Sequence, residues 1–378
     1  MKILHLIYSE GIYGAEKYLK NLLPGLNAKG ITCHLIVVSP KRTAGAFINY
    51  CNELNELGVK TSLLVAPMRS IVVTAKKVNT YLKANHINIV HSHLIKADLI
   101  AALLKTLFYR EVFLLSTRHG YQEKFLQHYI PGKSYRPFNL FYFLTRFTLL
   151  KIDKNVAVSK GIADLYYDLG LAKTPYPVVY NGISVEPFNK EVNSAVFKLA
   201  GQQLIILGRI ELIKGHRFLI DAMPMVVKNF PEIKLLILGD GTEKNNCMRR
   251  VMEKNLQQNI VFLNFNDNPY QYISHSDILI QPSLFEPFGL VYIEAFALKT
   301  AVIAFDTPAG NEIMVNNDTA LLVEKADSAA LAEKIVFLLN NKEVSHEITT
   351  RAYKKYSECF TSGIMVKNMS DWYLSLGV

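Results

Sequence analysis

Apolar runs of a few residues alternate along the chain with longer stretches whose apolar positions recur every three or four residues. The first pattern marks buried strands and the second amphipathic helices. In the first half, strands are predicted over residues 3–8, 33–39, 60–65, 87–91, 113–117 and 154–159. Helices are predicted from the turn at 10–16 to about 27, and over 44–57, 71–85 and 138–150. In the second half, strands fall at 203–207, 233–238, 261–263, 277–280 and 301–305, with helices from about 217, over 290–298 and from 329 onward. Such alternation implies α/β architecture, with parallel sheets and right-handed crossovers. At 378 residues the chain exceeds the usual single core. The turn signal Asn181-Gly182-Ile183 places the boundary. The expected division is 1–180, 181–355, and a last helical segment, 356–378, crossing back to the first domain.

Composition narrows the classes. Hydrophobic residues make up 50% and charged residues 20%, a globular balance. The four cysteines are scattered without a C-x-x-C pair, which argues for a reducing compartment and against a disulfide framework or a zinc site. The first apolar run is too short for a signal-peptide core, and no uncharged run approaches the ~18 residues that span a bilayer. The expected location is cytoplasmic, with peripheral attachment to the inner face of the membrane as an extension. A net charge of +10 fits nucleic acid, an anionic membrane or an acidic substrate. No zinc-finger, KH or RNP pattern accompanies it, which disfavours nucleic acid.

The most informative stretch is 281–294, Gln-Pro-Ser-Leu-Phe-Glu-Pro-Phe-Gly-Leu-Val-Tyr-Ile-Glu. The run before it reads as a buried strand, and Pro282 and Pro287 oppose a continuous helix. Glu286 is therefore placed at a strand's carboxyl end, Gly289 at the opening of a helix, and Glu294 a turn inside it. In open α/β sheets ligands bind beyond the carboxyl ends of the strands. A helix amino terminus suits a phosphate, and a glycine there admits close approach. Two carboxylates beside a phosphate site suit hydroxyl groups on either side of it, the chemistry of a nucleotide sugar. Farther upstream, Gly208-Arg-Ile-Glu-Leu-Ile-Lys-Gly215 sets Arg209 and Lys214 past another strand end. Two preorganised cations there can stabilise a departing diphosphate without a metal.

These residues carry a resemblance. Glu286 to Glu294 resembles the E-x7-E signature of the retaining GT-B glycosyltransferases, glycosyltransferase family 4 most closely, and the 208–215 stretch is similar to its Gly-Arg-x4-Lys-Gly motif. The resemblance implies two Rossmann-like domains with parallel sheets facing an interdomain cleft. It also implies a retaining, metal-independent transfer of a hexose-type sugar, with the leaving phosphate deprotonating the acceptor. Carried over residue by residue, Gly208, Arg209 and Lys214 take the diphosphate, Glu286 the sugar hydroxyls, and Glu294 the ribose. Phe288, Gly289 and Leu290 supply backbone N–H groups, and Gly239 lies by the base. Gly14, in a turn resembling Gly-Gly-Ala-Glu with Tyr13 for the first glycine, closes over the phosphates. Thr117-Arg-His-Gly120 resembles the family's Thr-x-His turn, so His119, ahead of His93, positions the sugar. Thr307 to Glu312 is expected as a cleft-edge loop. Lys299 and Ala301 replace a common Gly and Pro, read as local packing differences.

His91 and His93 are expected on opposite faces of their strand, a poor set for one metal; no metal or other cofactor is expected. The co-substrate is a UDP-, GDP- or ADP-sugar. The segment 121–151 mixes aromatics with Lys124, Lys133, Arg136, Arg146 and Lys151. A narrow polar stripe, Asn139, Tyr142 and Arg146, allows two readings: a core helix, or a surface that docks on anionic lipid. Expected partners are the donor, a glycan or lipid-linked acceptor of cell-envelope polysaccharide or lipopolysaccharide synthesis, and an anionic membrane surface. The rival readings are a nucleotide-sugar epimerase or hydrolase of GT-B shape, and a non-catalytic sugar-nucleotide-binding protein.

Overall fold

The structure, a computed structural model, describes residues 1–121, 139–185, 201–264 and 269–377. The chain divides into two compact units. Of the described residues, one holds those up to Ser184 together with the stretch from Thr361, and the other holds those from Val185 to Phe360.

The first unit is built on six parallel strands, β1 Lys2–Tyr8, β2 Thr32–Ser39, β3 Lys60–Val65, β4 Ile89–His93, β5 Phe113–Arg118 and β6 Lys154–Ala157, ordered β3-β2-β1-β4-β5-β6. The order reverses between β1 and β4, whose registers pair His5 with His91 and Ile7 with His93. Strands β1 and β2 are buried almost throughout, as expected where helices cover both faces of a parallel sheet. The helix Ser362–Ser375 belongs to this unit and packs on the helix Gly14–Ala28. Gly25 and Val366 mark that contact, since a Cβ on Gly25 would meet Val366 at 2.5 Å.

The second unit repeats the design with β7 Gln203–Leu207, β8 Lys234–Leu238, β9 Ile260–Leu263, β10 Ile278–Gln281, β11 Ala301–Phe305 and β12 Leu321–Val323, ordered β12-β11-β10-β7-β8-β9. Counted from its own first strand, this is the same topology, with the reversal between β7 and β10. Crevices therefore open past the carboxyl ends of β1 and β4 in one unit and of β7 and β10 in the other.

Three local expectations need correction. Residues 307–312 are not a loop: Pro308–Ile313 is a helix, Thr307 caps it by accepting from the Gly310 N–H, and Pro308 fits its first turn. Lys299 adopts a left-handed φ of +56°, so a side chain there strains the backbone, and the change is more than packing. In the helix Leu140–Leu149, Tyr142, Thr145 and Thr148 face inward, whereas Leu140, Phe143 and Leu150 are 74%, 58% and 76% exposed. Of the expected polar stripe Tyr142 is buried and Arg146 exposed, and the outward apolar side chains depart from the core-helix reading of the two. Lys124, Lys133 and Arg136 of that basic segment lie outside the described residues.

Candidate active site

In the second unit, β7 ends at Leu207 and Gly208-Arg209 follow at once, with Arg209 exposed. The chain then makes a short 3-10 turn, Leu212–Lys214, before the helix His216–Asn229. That turn is tied to the loop after β10, where the Leu284 N–H donates to the Ile213 carbonyl at 2.9 Å. Lys214 Nζ consequently lies 2.7 Å from Glu286 Oε1. The Glu286 side chain is 5% exposed and that of Lys214 19%. The same carboxylate oxygen accepts from Ser283 Oγ at 2.8 Å, and Ser283 Oγ in turn accepts from Gln281 Nε2 at 2.9 Å. A buried carboxylate held by a cation and a hydroxyl is fixed in direction before any ligand arrives.

Gly289 caps the helix Leu290–Ala297 at φ +99°, and a Cβ there would meet the Tyr292 ring at 2.3 Å. Conformation and packing both demand glycine. The helix's first N–H groups, next to Phe288 and Leu290, make its positive end. Glu294, inside the helix and 2% exposed, accepts a hydrogen bond from Tyr270. Burial, with the Glu294 charge beside it, pushes the Tyr270 phenol upward, so it stays a donor. Gly239 follows β8 and sits against Gly208: a Cβ on Gly239 would meet the Gly208 carbonyl oxygen at 1.9 Å. The second unit thus gathers Gly208, Arg209, Lys214, Gly239, Glu286, Phe288, Gly289, Leu290 and Glu294 around the strand ends beside its own reversal.

Gly14 and His119 lie in the first unit. Gly14 opens the helix Gly14–Ala28 just past β1. Tyr13 before it is extended, at φ −124°, so replacing glycine there costs nothing in backbone terms, and its N–H donates to Glu16 Oε2 at 2.8 Å. His119 follows β5 and is half-buried. Its Nε2 lies 3.0 Å from His93 Nδ1, and His93 Nε2 lies 3.0 Å from His5 Nδ1.

Here the sequence reading was wrong. Residues two apart in a strand share a face, and the His91 and His93 rings stack at 4.6 Å. Register adds His5 from the neighbouring strand, so His5, His91 and His93 place ring nitrogens within 4.8 Å of one another. They are the one such His/Cys/Asp/Glu group among the described residues. Both His91 nitrogens are already engaged, by the Tyr373 hydroxyl at 2.5 Å and by Thr117 Oγ1 at 2.8 Å. Sequence reasoning passed over His5, Ser283, Gln281 and Tyr270. One signal was present: His5 is a polar residue inside the apolar run of β1.

Burial holds these imidazoles neutral. His5 and His119 are lowered to about 3, and His91 and His93 fall well below the ordinary value. The unfolded chain therefore binds more protons than the folded one between about 6.5 and those lowered values, and stability falls as pH drops through that window. Each fully buried histidine contributes on the order of 1 kcal/mol per pH unit below about 6. The urea midpoint is expected to fall between pH 7.5 and pH 5; an unchanged or higher midpoint at pH 5 contradicts the neutral cluster.

Comparison with known proteins agrees with this arrangement. Residues 12–187 match Glycosyltransferase Family 4, and residues 188–355 match Glycosyl transferases group 1. The chain is 27% identical over 214 residues to the N-acetylgalactosamine-N,N'-diacetylbacillosaminyl-diphospho-undecaprenol 4-alpha-N-acetylgalactosaminyltransferase of Campylobacter jejuni, covering 56% of each protein. It therefore spans little more than half the length of that relative. It is also 25% identical over 358 residues to the O-antigen biosynthesis glycosyltransferase WclY of Escherichia coli, covering 90% of this chain and 97% of that one. Among solved structures, Anabaena Alr3699/HepE in complex with UDP and glucose superposes with a TM-score of 0.82 at 18% identity, over 99% of this chain and 100% of that one. With two parallel six-stranded sheets of one topology and both family matches running consecutively along it, the chain is a GT-B protein that belongs to the group 1 glycosyltransferases, in glycosyltransferase family 4.

Proposed function

We propose that the protein moves a hexose-type sugar from a nucleotide-sugar donor to a glycan or lipid-linked acceptor in cell-envelope polysaccharide or lipopolysaccharide synthesis, with retention and without a metal. The observation that carries this reading is the Lys214–Glu286 pair, 2.7 Å apart, with Glu286 three residues before the Gly289 cap of the helix Leu290–Ala297. Lys214, Arg209 and the helix N–H groups supply positive charge where a diphosphate would depart. Glu286 takes sugar hydroxyls and Glu294 the ribose, with Tyr270 orienting Glu294. His119 positions the sugar, and Gly14 closes over the phosphates. In the step proposed, the bond from the anomeric carbon to the diphosphate oxygen breaks, and the acceptor oxygen bonds to the same face. The acceptor proton passes to the departing phosphate, so no protein base is required. The relatives named for O-antigen and undecaprenol-linked synthesis support the envelope setting.

A membrane-borne acceptor is supported by the exposed Leu140, Phe143 and Leu150. Leu150 lines a depression together with Lys105, Arg110, Lys151 and Asp153, Lys105 being paired with Asp153. Exposed apolar side chains with the cations Arg110 and Lys151 near one of them suit an anionic bilayer surface. No helix among the described residues is long and apolar enough to cross a membrane.

The test incubates the protein with UDP-, GDP- and ADP-sugars and measures released nucleoside diphosphate, with EDTA or anionic vesicles carrying an envelope lipid extract as added conditions. Release from one donor, unaffected by EDTA, raised by the vesicles and yielding a product of unchanged anomeric configuration, is expected. Consumption of donor that needs no acceptor would point to an epimerase or hydrolase. Loss of release in EDTA would overturn metal independence.

A further inference from the structure

We infer that His5, His93 and His119 form a hydrogen-bonded row that presents His119 to its ligand as a neutral imidazole with the proton on Nδ1, which makes His93 and His5 positioning residues for it. This rests on the reading of His119 as the sugar-positioning residue. The row runs from His5 Nδ1 to His93 Nε2 and from His93 Nδ1 to His119 Nε2, 3.0 Å at each contact. His5 and His93 are fully buried. With His119 Nε2 turned inward onto His93, Nδ1 is the nitrogen left for a ligand.

A neutral imidazole carries one N–H and one lone pair. His93, bonded on both sides, must therefore donate at one contact and accept at the other, so all protons in the row point the same way. Two arrangements exist. If they point inward, His5 carries its proton on Nε2, a buried atom without a partner among the described residues. If they point outward, that atom is a bare lone pair and His119 carries its proton on Nδ1. Orphaned buried N–H groups are rarer than under-satisfied acceptors, which selects the outward arrangement. A protonated link would set N–H against N–H. The Arg118 cation further opposes charge on His119, and its own guanidinium is held by Asp98. The Tyr18 ring, its centroid 4.8 Å from that of His119 and its plane at 77° to it, limits ring rotation.

The experiment is long-range ¹H–¹⁵N correlation of the full-length protein with ¹⁵N-labelled histidine, alongside steady-state kinetics. His119 is expected as the neutral Nδ1–H tautomer. His93→Leu is expected to release that tautomer and lower kcat roughly tenfold or more, with donor KM nearly unchanged. His93→Asn, whose carboxamide can donate to Nε2 in place of Nδ1–H, is expected to recover most of the loss. An Nε2–H or protonated His119, a metal bound to these rings, or native kcat in His93→Leu would overturn the row. The wild-type spectrum decides even if His93→Leu does not fold. His119→Ala with native kinetics would instead remove the sugar-positioning role while leaving the tautomer assignment intact, so the two failures are distinguishable.

Discussion

Lys214→Ala is expected to lower turnover by about two to three orders of magnitude, the usual consequence of removing one preorganised group from a developing negative charge. The lysine stands just past the first strand of the second sheet, beside the sheet's reversal, and its ammonium is within 2.7 Å of Glu286. The substitution removes a charge for the diphosphate and also the partner that fixes a buried carboxylate. Ser283 would still donate to Glu286 at 2.8 Å, so the loop should keep its path and donor binding should weaken less than turnover. Lys214→Arg keeps the charge but places it at the end of a longer, planar group, and intermediate activity is expected. The measurement is nucleoside diphosphate release at saturating donor. Turnover within a few-fold of wild type for Lys214→Ala would refute the role assigned to this cation.

Arg118→Leu is expected to destabilise the first unit by about 3–5 kcal/mol, because it strands a carboxylate with no exposed surface. Arg118 Nη1 lies 2.5 Å from Asp98 Oδ2, and its Nε and Nη2 both donate to Asn155 Oδ1. Asp98 Oδ1 accepts from Ser92 and Ser116. One network thus ties β4, β5, β6 and the helix Ile95–Leu107 beneath the turn that carries His119. Pairing the change with Asp98→Asn removes the stranded charge, so the double variant should be less destabilised than the sum of the two single ones. Urea unfolding reads both. Strictly additive losses would show that Arg118 and Asp98 do not act as a pair.

Both predictions turn on contacts between residues far apart in sequence, and this divides what could be read early from what could not. The strands were legible because burial on both faces imposes continuous apolar runs within five to eight residues. β7 and β11, buried throughout, fall where the runs place them. The relation of Glu286, Gly289 and Glu294 was legible for the same reason: strand end, turn and helix entry lie within nine residues. For the helix Leu140–Leu149 two readings stayed open, because periodicity locates an apolar face without saying what covers it. Three of its large apolar side chains or near neighbours point outward.

The sequence by itself determined the α/β alternation, the parallel sheets that follow from it, and the local geometry of each strand-to-helix turn, since these depend on interactions within one or two turns of chain. Only the tertiary structure decided which turns meet. Strand order and register set His5 beside His91 and His93, 86 and 88 residues on, and bring Lys214 to Glu286 across 72. The hydroxyl of Tyr373 reaches His91 because a helix from the end of the chain packs in the first unit. Register is a property of paired strands and packing a property of facing surfaces, and neither is written in any single segment.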